Sequence, residues 1–228
     1  MNTQAHSPVR RIALINPNTS TATTARMVDI ARDAAADPGI EIVGITAPYG
    51  APLITNPEAL AVADDAVLSI HETAFEGVSG VIVSALGDPG ADALGQRLAV
   101  PVIGIAEASM RAAADIGRFS VVTTTPLLAE RIGWRAAHLG LGDRLASVRT
   151  TEGDPATLMS DDTALRVALA ALIDVAVAKD GAEAVIIGGG PLAVVARVLA
   201  AQSPVPLIEP VPAATRALIA RLAPARRA

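Results

Sequence analysis

Four short segments rich in hydroxyl, amide and glycine residues carry the groups that could do chemistry. Each segment follows a short apolar run and precedes a helix-length stretch, so each is predicted to join a strand to a helix. A helix N-terminus offers unpaired backbone N–H groups and the positive end of the helix dipole, which suit a carboxylate or an enolate oxygen. N-capping alone would explain one such loop, but several loops meeting at one cleft favour an anion or polar-heterocycle site. The segments are residues 16–20, 84–90, 123–126 and 188–192.

Four ionisable side chains are candidates for taking up or releasing a proton. Asp88 lies in a Gly-Asp-Pro-Gly turn, where an Asx turn or a helix cap is an equally good explanation. Glu107 and Glu209 each follow a predicted strand, at equivalent places in two similar stretches of the chain, and helix capping explains each of them by itself. Tyr49, the one tyrosine of the chain, lies in a Pro/Gly-rich loop that could reach over a cleft or serve only as a turn.

Several common kinds of active site are disfavoured by residue type and spacing. The glycines at 188–190 are followed by Pro and Leu, so they do not match the G-x-G-x-x-G dinucleotide pattern, and no P-loop lysine is near them. Ser84 lacks the surrounding glycines of a G-x-S-x-G nucleophile elbow. The histidines have no metal-ligand spacing, and the chain has no cysteine. We therefore infer neither a metal nor a cofactor.

The composition excludes other classes of protein. A net charge of −5, a pI near 5.2 and an aromatic content of 2% disfavour nucleic-acid binding. Residues 1–11 are polar, unlike a signal peptide, and no apolar run is long enough to span a bilayer. With 51% hydrophobic residues the chain can bury a proper core. We expect a soluble, cytoplasmic protein that acts on a small molecule.

Short apolar runs alternate with amphipathic stretches, which is typical of a parallel sheet covered by helices on both faces. The clearest predicted helices are residues 21–35, 57–75 and 163–178. The predicted strands are residues 12–15, 40–45, 81–83, 102–105, 119–122, 146–149, 185–187 and 206–208. The sequence therefore predicts an α/β fold.

Two parts of the chain repeat one pattern. Residues 12–19 resemble residues 120–126, and residues 81–103 resemble residues 185–208, both at an offset of about a hundred residues, the size of a small domain. The repeat predicts two pseudo-symmetric, flavodoxin-like halves whose carboxyl strand ends line a shared interdomain cleft. We expect the first half to comprise residues 1–98 plus 209–228 and the second half residues 99–208.

At residues 12–20, 87–90, 101–108 and 121–124 the sequence resembles hydantoin and allantoin racemases of the aspartate/glutamate racemase superfamily. The resemblance runs through nearly the whole chain in the same order. It implies the two-half fold, an active site between the halves, and cofactor-free removal and return of a proton on a carbon next to a carbonyl. It also implies a homo-oligomer.

The resemblance further implies two catalytic cysteines, one from each half, and this chain has neither. The matching positions are Ala85, beside Ser84, and Gly189 in the glycine-rich turn. A thiol, with a reference pKa of about 8.5, can exchange a proton near neutrality, whereas alanine and glycine cannot. Because a positioned acid or base contributes roughly 10²–10⁴-fold, losing both should strongly reduce racemisation by the usual route.

The sequence thus predicts a racemase-like protein that acts on a small hydantoin- or carboxylate-type substrate through an enolate. The proton would be handled by Asp88, Glu107, Glu209, Tyr49 or a bound water. Two alternatives stay open, a cofactor-independent lyase or decarboxylase, which needs one proton donor, and a binding homologue without turnover. The groups expected to bind substrate oxygens are the side chains of Asn16, Thr19, Thr123 and Thr124 and the backbone near Ser84, Ala85, Gly189 and Gly190.

Overall fold

The structure is a computed structural model that describes residues 9–189 and 192–223. Its strands are β1 (Arg10–Asn16), β2 (Ile40–Thr46), β3 (Val78–Val83), β4 (Val102–Gly104), β5 (Phe119–Thr123), β6 (Leu145–Thr150), β7 (Ala184–Gly188) and β8 (Leu207–Ile208). Its α-helices are α1 (Thr21–Ala35), α2 (Pro57–Leu68), α3 (Ala91–Arg97), α4 (Ile105–Ala114), α5 (Ala129–His138), α6 (Pro155–Met159), α7 (Asp162–Ala178), α8 (Ala193–Ala200) and α9 (Pro210–Leu222).

The strands form two four-stranded parallel sheets with the same internal order. The first sheet runs β2-β1-β3-β4 and the second β6-β5-β7-β8, so β5–β8 repeat the topology of β1–β4. This arrangement confirms the predicted α/β fold. The first sheet with its helices is the first half of the molecule, and the second sheet with its helices is the second half.

Each sheet is covered on both faces, which explains why the strands read as continuous apolar runs. In β1, Ile12 and Leu14 pack with residues of α1 and α9, whereas Ala13 and Ile15 face α2 and α3. In the second sheet, Val121 belongs to a cluster with α4 and α5, and Val122 faces α7 and α8. The alternation of neighbouring residues between two clusters follows from the two-residue repeat of a strand.

The helix predicted over residues 57–75 is shorter in the structure. Helix α2 ends at Leu68, and a separate 3₁₀ turn covers Glu72–Phe75. The guanidinium of Arg97 donates to the carbonyl oxygens of Leu68 and Ile70, at 2.6 and 3.1 Å, and so satisfies carbonyls at the helix end. His71 caps the following turn, its ring nitrogen accepting from the backbone N–H of Thr73, and its side chain is exposed.

The boundary between the two sheets lies after β4, whereas the sequence predicts that the second half begins at residue 99. Strand β4 pairs with β3, so it belongs to the first sheet, and the second sheet begins with β5. A division at residues 98 and 99 would separate β4 from its partner. After β8 the chain returns to the first half, where Val211 and Leu218 of α9 belong to the same apolar cluster as Ile12.

Among the residues that the structure describes, no helix has both the length and the apolar character needed to cross a membrane.

Candidate active site between the two halves

The loop after β1 is shaped by the buried amide of Asn16. Its Nδ2 donates to Asn18 Oδ1 at 2.8 Å, to the Ser20 carbonyl at 3.0 Å and to Thr24 Oγ1 at 3.0 Å. Its Oδ1 accepts from the backbone N–H of Asn18. Asn16 is fully buried, whereas Asn18, Thr19 and Ser20 are half-buried. Asn16 therefore holds the loop, and the residues after it form the accessible part.

The loop that contains Tyr49 is tied to this first loop through the backbone. The Thr19 N–H donates to the Ala51 carbonyl at 3.1 Å, and the Ala47 N–H donates to the Asn16 carbonyl at 2.9 Å. The Tyr49 side chain is 45% exposed. The carboxyl ends of β1 and β2 thus present one continuous rim.

The loop after β3 touches the second half directly. Ser84 Oγ lies 3.0 Å from Met27 Sδ, so this hydroxyl points towards α1. Ala85 is half-buried. A Cβ built on Gly188 would lie 2.7 Å from Leu86 Cδ2, so the loops after β3 and β7 are in close contact.

Asp88 anchors the same loop with a buried carboxylate. Its Oδ1 accepts from the Ala106 N–H at 2.7 Å, and its Oδ2 accepts from the Glu107 N–H at 2.8 Å and from Arg135 Nε at 3.0 Å. Arg135 also donates to Asp92. Burial raises the pKa of Asp88 to about 6, while Arg135 and the two N–H groups act in the opposite direction. Asp88 therefore caps α4 and joins it to α5.

Gly104 leaves the space in which the Asp88 carboxylate reaches the first N–H groups of α4. It is the residue before α4, and a Cβ built on it would lie 2.0 Å from Asp88 Cγ. The carboxylate occupies the space that any other residue at position 104 would need for its side chain.

In the second half, two buried threonines follow β5. Thr123 Oγ1 donates to the Gly188 carbonyl at 3.1 Å and lies 3.1 Å from Thr125 Oγ1. Thr124 Oγ1 lies 3.8 Å from Met159 Sδ, a weak contact. The hydroxyl of Thr123 thus links the loops after β5 and β7.

The turn after β7 disfavours a side chain at its first position. Gly189 is half-buried and has a φ of +133°, a conformation that favours glycine. A Cβ at this position would lie 3.0 Å from Leu192 Cδ1. Gly190, the other glycine predicted to act here, lies outside the described residues.

A cavity of about 400 Å³ opens beside these loops. Arg26 belongs to the second turn of α1, in the first half, and the facing wall comes from α6 and the starts of α7 and α8, in the second half. Helices in this topology begin at the carboxyl edge of the sheet, so the cavity lies at the carboxyl edges of both sheets. Its lining comprises Arg26, Met159, Asp162, Leu165, Arg166, Leu192, Val195 and Val198.

The two glutamates predicted to act as a pair are engaged in ion pairs elsewhere. Glu107 Oε1 accepts from Arg111 Nε at 3.1 Å and from Arg221 at 3.0 Å. Glu209 Oε2 accepts from Arg197 Nε at 3.1 Å and borders a separate groove between α4 and α9. Neither glutamate belongs to the lining of the 400 Å³ cavity.

Sequence reasoning missed the helical part of the lining. It concentrated on polar loop residues, whereas the lining includes Leu192, just before α8, and Val195 and Val198 of α8. Their three-residue spacing directly after a glycine-rich loop is the signal that could have indicated one apolar helix face at the site.

Fold and cavity together define a class of protein, a parallel α/β fold of two similar halves with a cavity lined from both of them. The sequence pattern of the Asp/Glu/hydantoin racemase family matches residues 12–218, and the chain belongs to this family. It is accordingly an isomerase of the racemase type.

Individual relatives agree with this assignment. The chain is 30% identical over 209 residues to a hydantoin racemase of Paenarthrobacter aurescens, covering 90% of this chain and 88% of the relative. The crystal structure of an allantoin racemase from Pseudomonas fluorescens superposes with a TM-score of 0.87 and 31% identity, covering 92% of this chain and 89% of that one. An allantoin racemase from Klebsiella pneumoniae gives a TM-score of 0.85 and 33% identity, covering 92% and 86%.

Proposed function

We propose that the chain exchanges a proton on the carbon next to a carbonyl of a small hydantoin- or carboxylate-type substrate, without a cofactor. The observation that carries this proposal is the meeting of both halves at one site. Leu86 of the first half contacts Gly188 of the second, and the adjoining cavity is lined from both halves. Such a cleft can hold a planar carbonyl compound between two loop systems.

The loops supply groups suited to an enolate oxygen. Backbone N–H groups around Ala85 and Gly189 would donate to the developing negative charge, because both positions are half-buried and lack a bulky side chain. The hydroxyls of Thr19 and Thr124 would orient the other substrate oxygens. Asn16 and Thr123 would position the loops rather than contact the substrate, since their polar groups are hydrogen-bonded to the loop backbone.

The chain has no cysteine, so another group must take the proton from the reacting carbon and return it. Asp88, Glu107 and Glu209 are engaged in ion pairs with arginines. Tyr49 lies in the loop after β2, which is hydrogen-bonded to the loop after β1, and its side chain is exposed. We therefore propose that the phenolate of Tyr49 takes the proton from the carbon and the resulting hydroxyl returns it, or that a water molecule beside Tyr49 carries the proton, with the enolate stabilised by the loops.

Proton NMR in D₂O tests this proposal. With 5-substituted hydantoins or allantoin, the signal of the hydrogen on the reacting carbon should disappear faster than in a sample without enzyme, and no net conversion should follow. Tyr49→Phe should slow this exchange by roughly 10²-fold or more if the hydroxyl takes part, and its thermal unfolding should stay that of the wild type.

Other results would contradict the proposal in different ways. Release of carbon dioxide from a disubstituted malonate, with deuterium gained at carbon and no exchange on the hydantoins, would make the protein a lyase. Ligand-induced thermal stabilisation without exchange or conversion would make it a binding protein. An unchanged exchange rate in Tyr49→Phe would show that the Tyr49 side chain does not transfer the proton.

A further inference from the structure

One wall of the 400 Å³ cavity is made of apolar side chains from the second half. Leu165, Leu192 and Val195 are 3%, 2% and 8% exposed, and Met159 is half-buried beside them. Three of these side chains are aliphatic, and the thioether of Met159 is only a weak acceptor. A group that lies against this wall gains by burying carbon, and it finds no strong hydrogen-bond partner among these four residues.

The apolar wall begins where the polar loops end. Met159 Sδ is 3.8 Å from Thr124 Oγ1, and Leu192 Cδ1 lies 3.0 Å from the place where a Cβ on Gly189 would be. A substrate whose carbonyl oxygens contact these loops would therefore project its substituent along Leu192 and Met159. The wall therefore adjoins the loops after β5 and β7.

The charged residues of the lining lie at its exposed rim. Arg26 comes from α1, while Asp162 and Arg166 belong to the first turns of α7, and all three are exposed. Arg166 Nε donates to the Asp162 carbonyl at 3.2 Å, so its guanidinium lies along its own helix. The buried residues of the lining are apolar, and its charged residues are exposed.

Building on the function proposed above, we infer that the substrate carries a branched aliphatic substituent on the reacting carbon, and that Met159, Leu165, Leu192 and Val195 select it. A ureido substituent, as in allantoin, would lose its hydrogen bonds to water against these side chains and is disfavoured. A larger aliphatic substituent should bind this wall more tightly, because each buried methylene strengthens binding about fourfold.

Equilibrium binding of a ligand series measures this selection without requiring turnover. The ligands are unsubstituted hydantoin, 5-methylhydantoin, 5-isobutylhydantoin and allantoin, titrated calorimetrically into the intact protein. Affinity should rise by about fourfold per carbon, hence roughly 60-fold from the methyl to the isobutyl compound. Allantoin should bind more weakly than 5-isobutylhydantoin.

Near-isosteric variants identify the wall. Val195→Thr adds a hydroxyl to the apolar wall, and Met159→Gln replaces the thioether by an amide. Each should reduce the preference for isobutyl over methyl by about tenfold or more, since the added polar group must be desolvated. Val167→Thr is the matched control on an exposed position of α7, 66% accessible, and should leave the preference unchanged.

The outcomes separate this inference from the proposed function. The isobutyl preference together with its loss in Val195→Thr supports the apolar wall, even if no proton exchange is seen with the bound ligand, in which case only the proposed function fails. Equal or tighter binding of allantoin, absence of binding by every hydantoin, or an unchanged preference in both wall variants overturns the inference.

Discussion

The carboxylate of Asp180 accepts hydrogen bonds from two side chains of β6, an outer strand of the second sheet. β6 is one of the two outer strands of that sheet, and Asp180 follows α7. Its Oδ2 accepts from Arg149 Nε at 2.8 Å and from Ser147 Oγ at 2.7 Å. The bond from Arg149, and then the bond from Ser147, lowers the pKa of Asp180 to about 2 from its ordinary value of 3.8. The charged form of this group is therefore favoured by folding.

The depressed pKa predicts how acid affects Asp180→Asn. A carboxylate whose pKa is lower in the folded state contributes stability above its ordinary pKa of 3.8, and this contribution is lost as the pH falls towards about 2. The wild type should be more stable than Asp180→Asn near neutrality, and the difference should shrink over that acidic range. Urea unfolding at several pH values measures it.

The partner variant is the check on this reasoning. Arg149→Met should show the same narrowing in acid, and adding Asp180→Asn to it should cost little more, because the two residues share one interaction. A difference between wild type and Asp180→Asn that stays constant down to pH 2 would contradict the assigned pKa.

Helix α4 depends on a contact from outside its own sequence. Its first residues, Ile105 and Ala106, follow β4 without a side-chain cap from the preceding Gly104. Asp88, from the loop after β3, supplies the missing acceptor for the Ala106 and Glu107 N–H groups. A negative charge at a helix N-terminus also interacts favourably with the helix dipole. The loop of the site and the helix therefore stabilise each other.

Gly104→Ala should break this arrangement. Its Cβ would lie 2.0 Å from Asp88 Cγ, so the carboxylate must leave the helix end. We expect a loss of about 3–5 kcal/mol in the free energy of unfolding, the cost of disrupting a buried ion pair. Urea or thermal unfolding measures it.

Gly133→Ala is the matched glycine control in a helix. No atom lies within 4 Å of the Cβ that it would add, so it should be neutral or stabilise by about 0.5–1 kcal/mol. If Gly104→Ala unfolds like Gly133→Ala, then Asp88 does not need the space at position 104.

The sequence predicts elements better than contacts between them. The run of apolar residues in β1 and the repeated order of strands indicate the fold because burial on both faces leaves a local pattern. The end of α2 is different, since it depends on Arg97, which lies 29 residues after Leu68. Likewise, Asp88 is recognisable as a turn residue, but its use as an anchor depends on Arg135, 47 residues away.

At the scale of the whole molecule, the halves share a core and a buried ion pair. Leu60 and Leu86 of the first half belong to the same apolar cluster as Phe119 and Ile132 of the second. The Asp88–Arg135 pair crosses the same boundary with side chains 0% and 2% exposed. Because the cavity is lined from both halves, whatever fixes their relative position also fixes the geometry of the site.

Arg135→Met tests how strongly this pair joins the halves. It leaves the Asp88 carboxylate buried without its cationic partner, which typically costs about 3–5 kcal/mol. The matched control is Arg111→Met, because the Arg111–Glu107 pair is on the surface, with Arg111 51% exposed, and should contribute only about 0–1 kcal/mol. Adding Asp88→Asn to Arg135→Met should recover part of the loss, since it removes the unpaired charge. Equal unfolding free energies for Arg135→Met and Arg111→Met would show that the apolar cluster joins the halves without help from the ion pair.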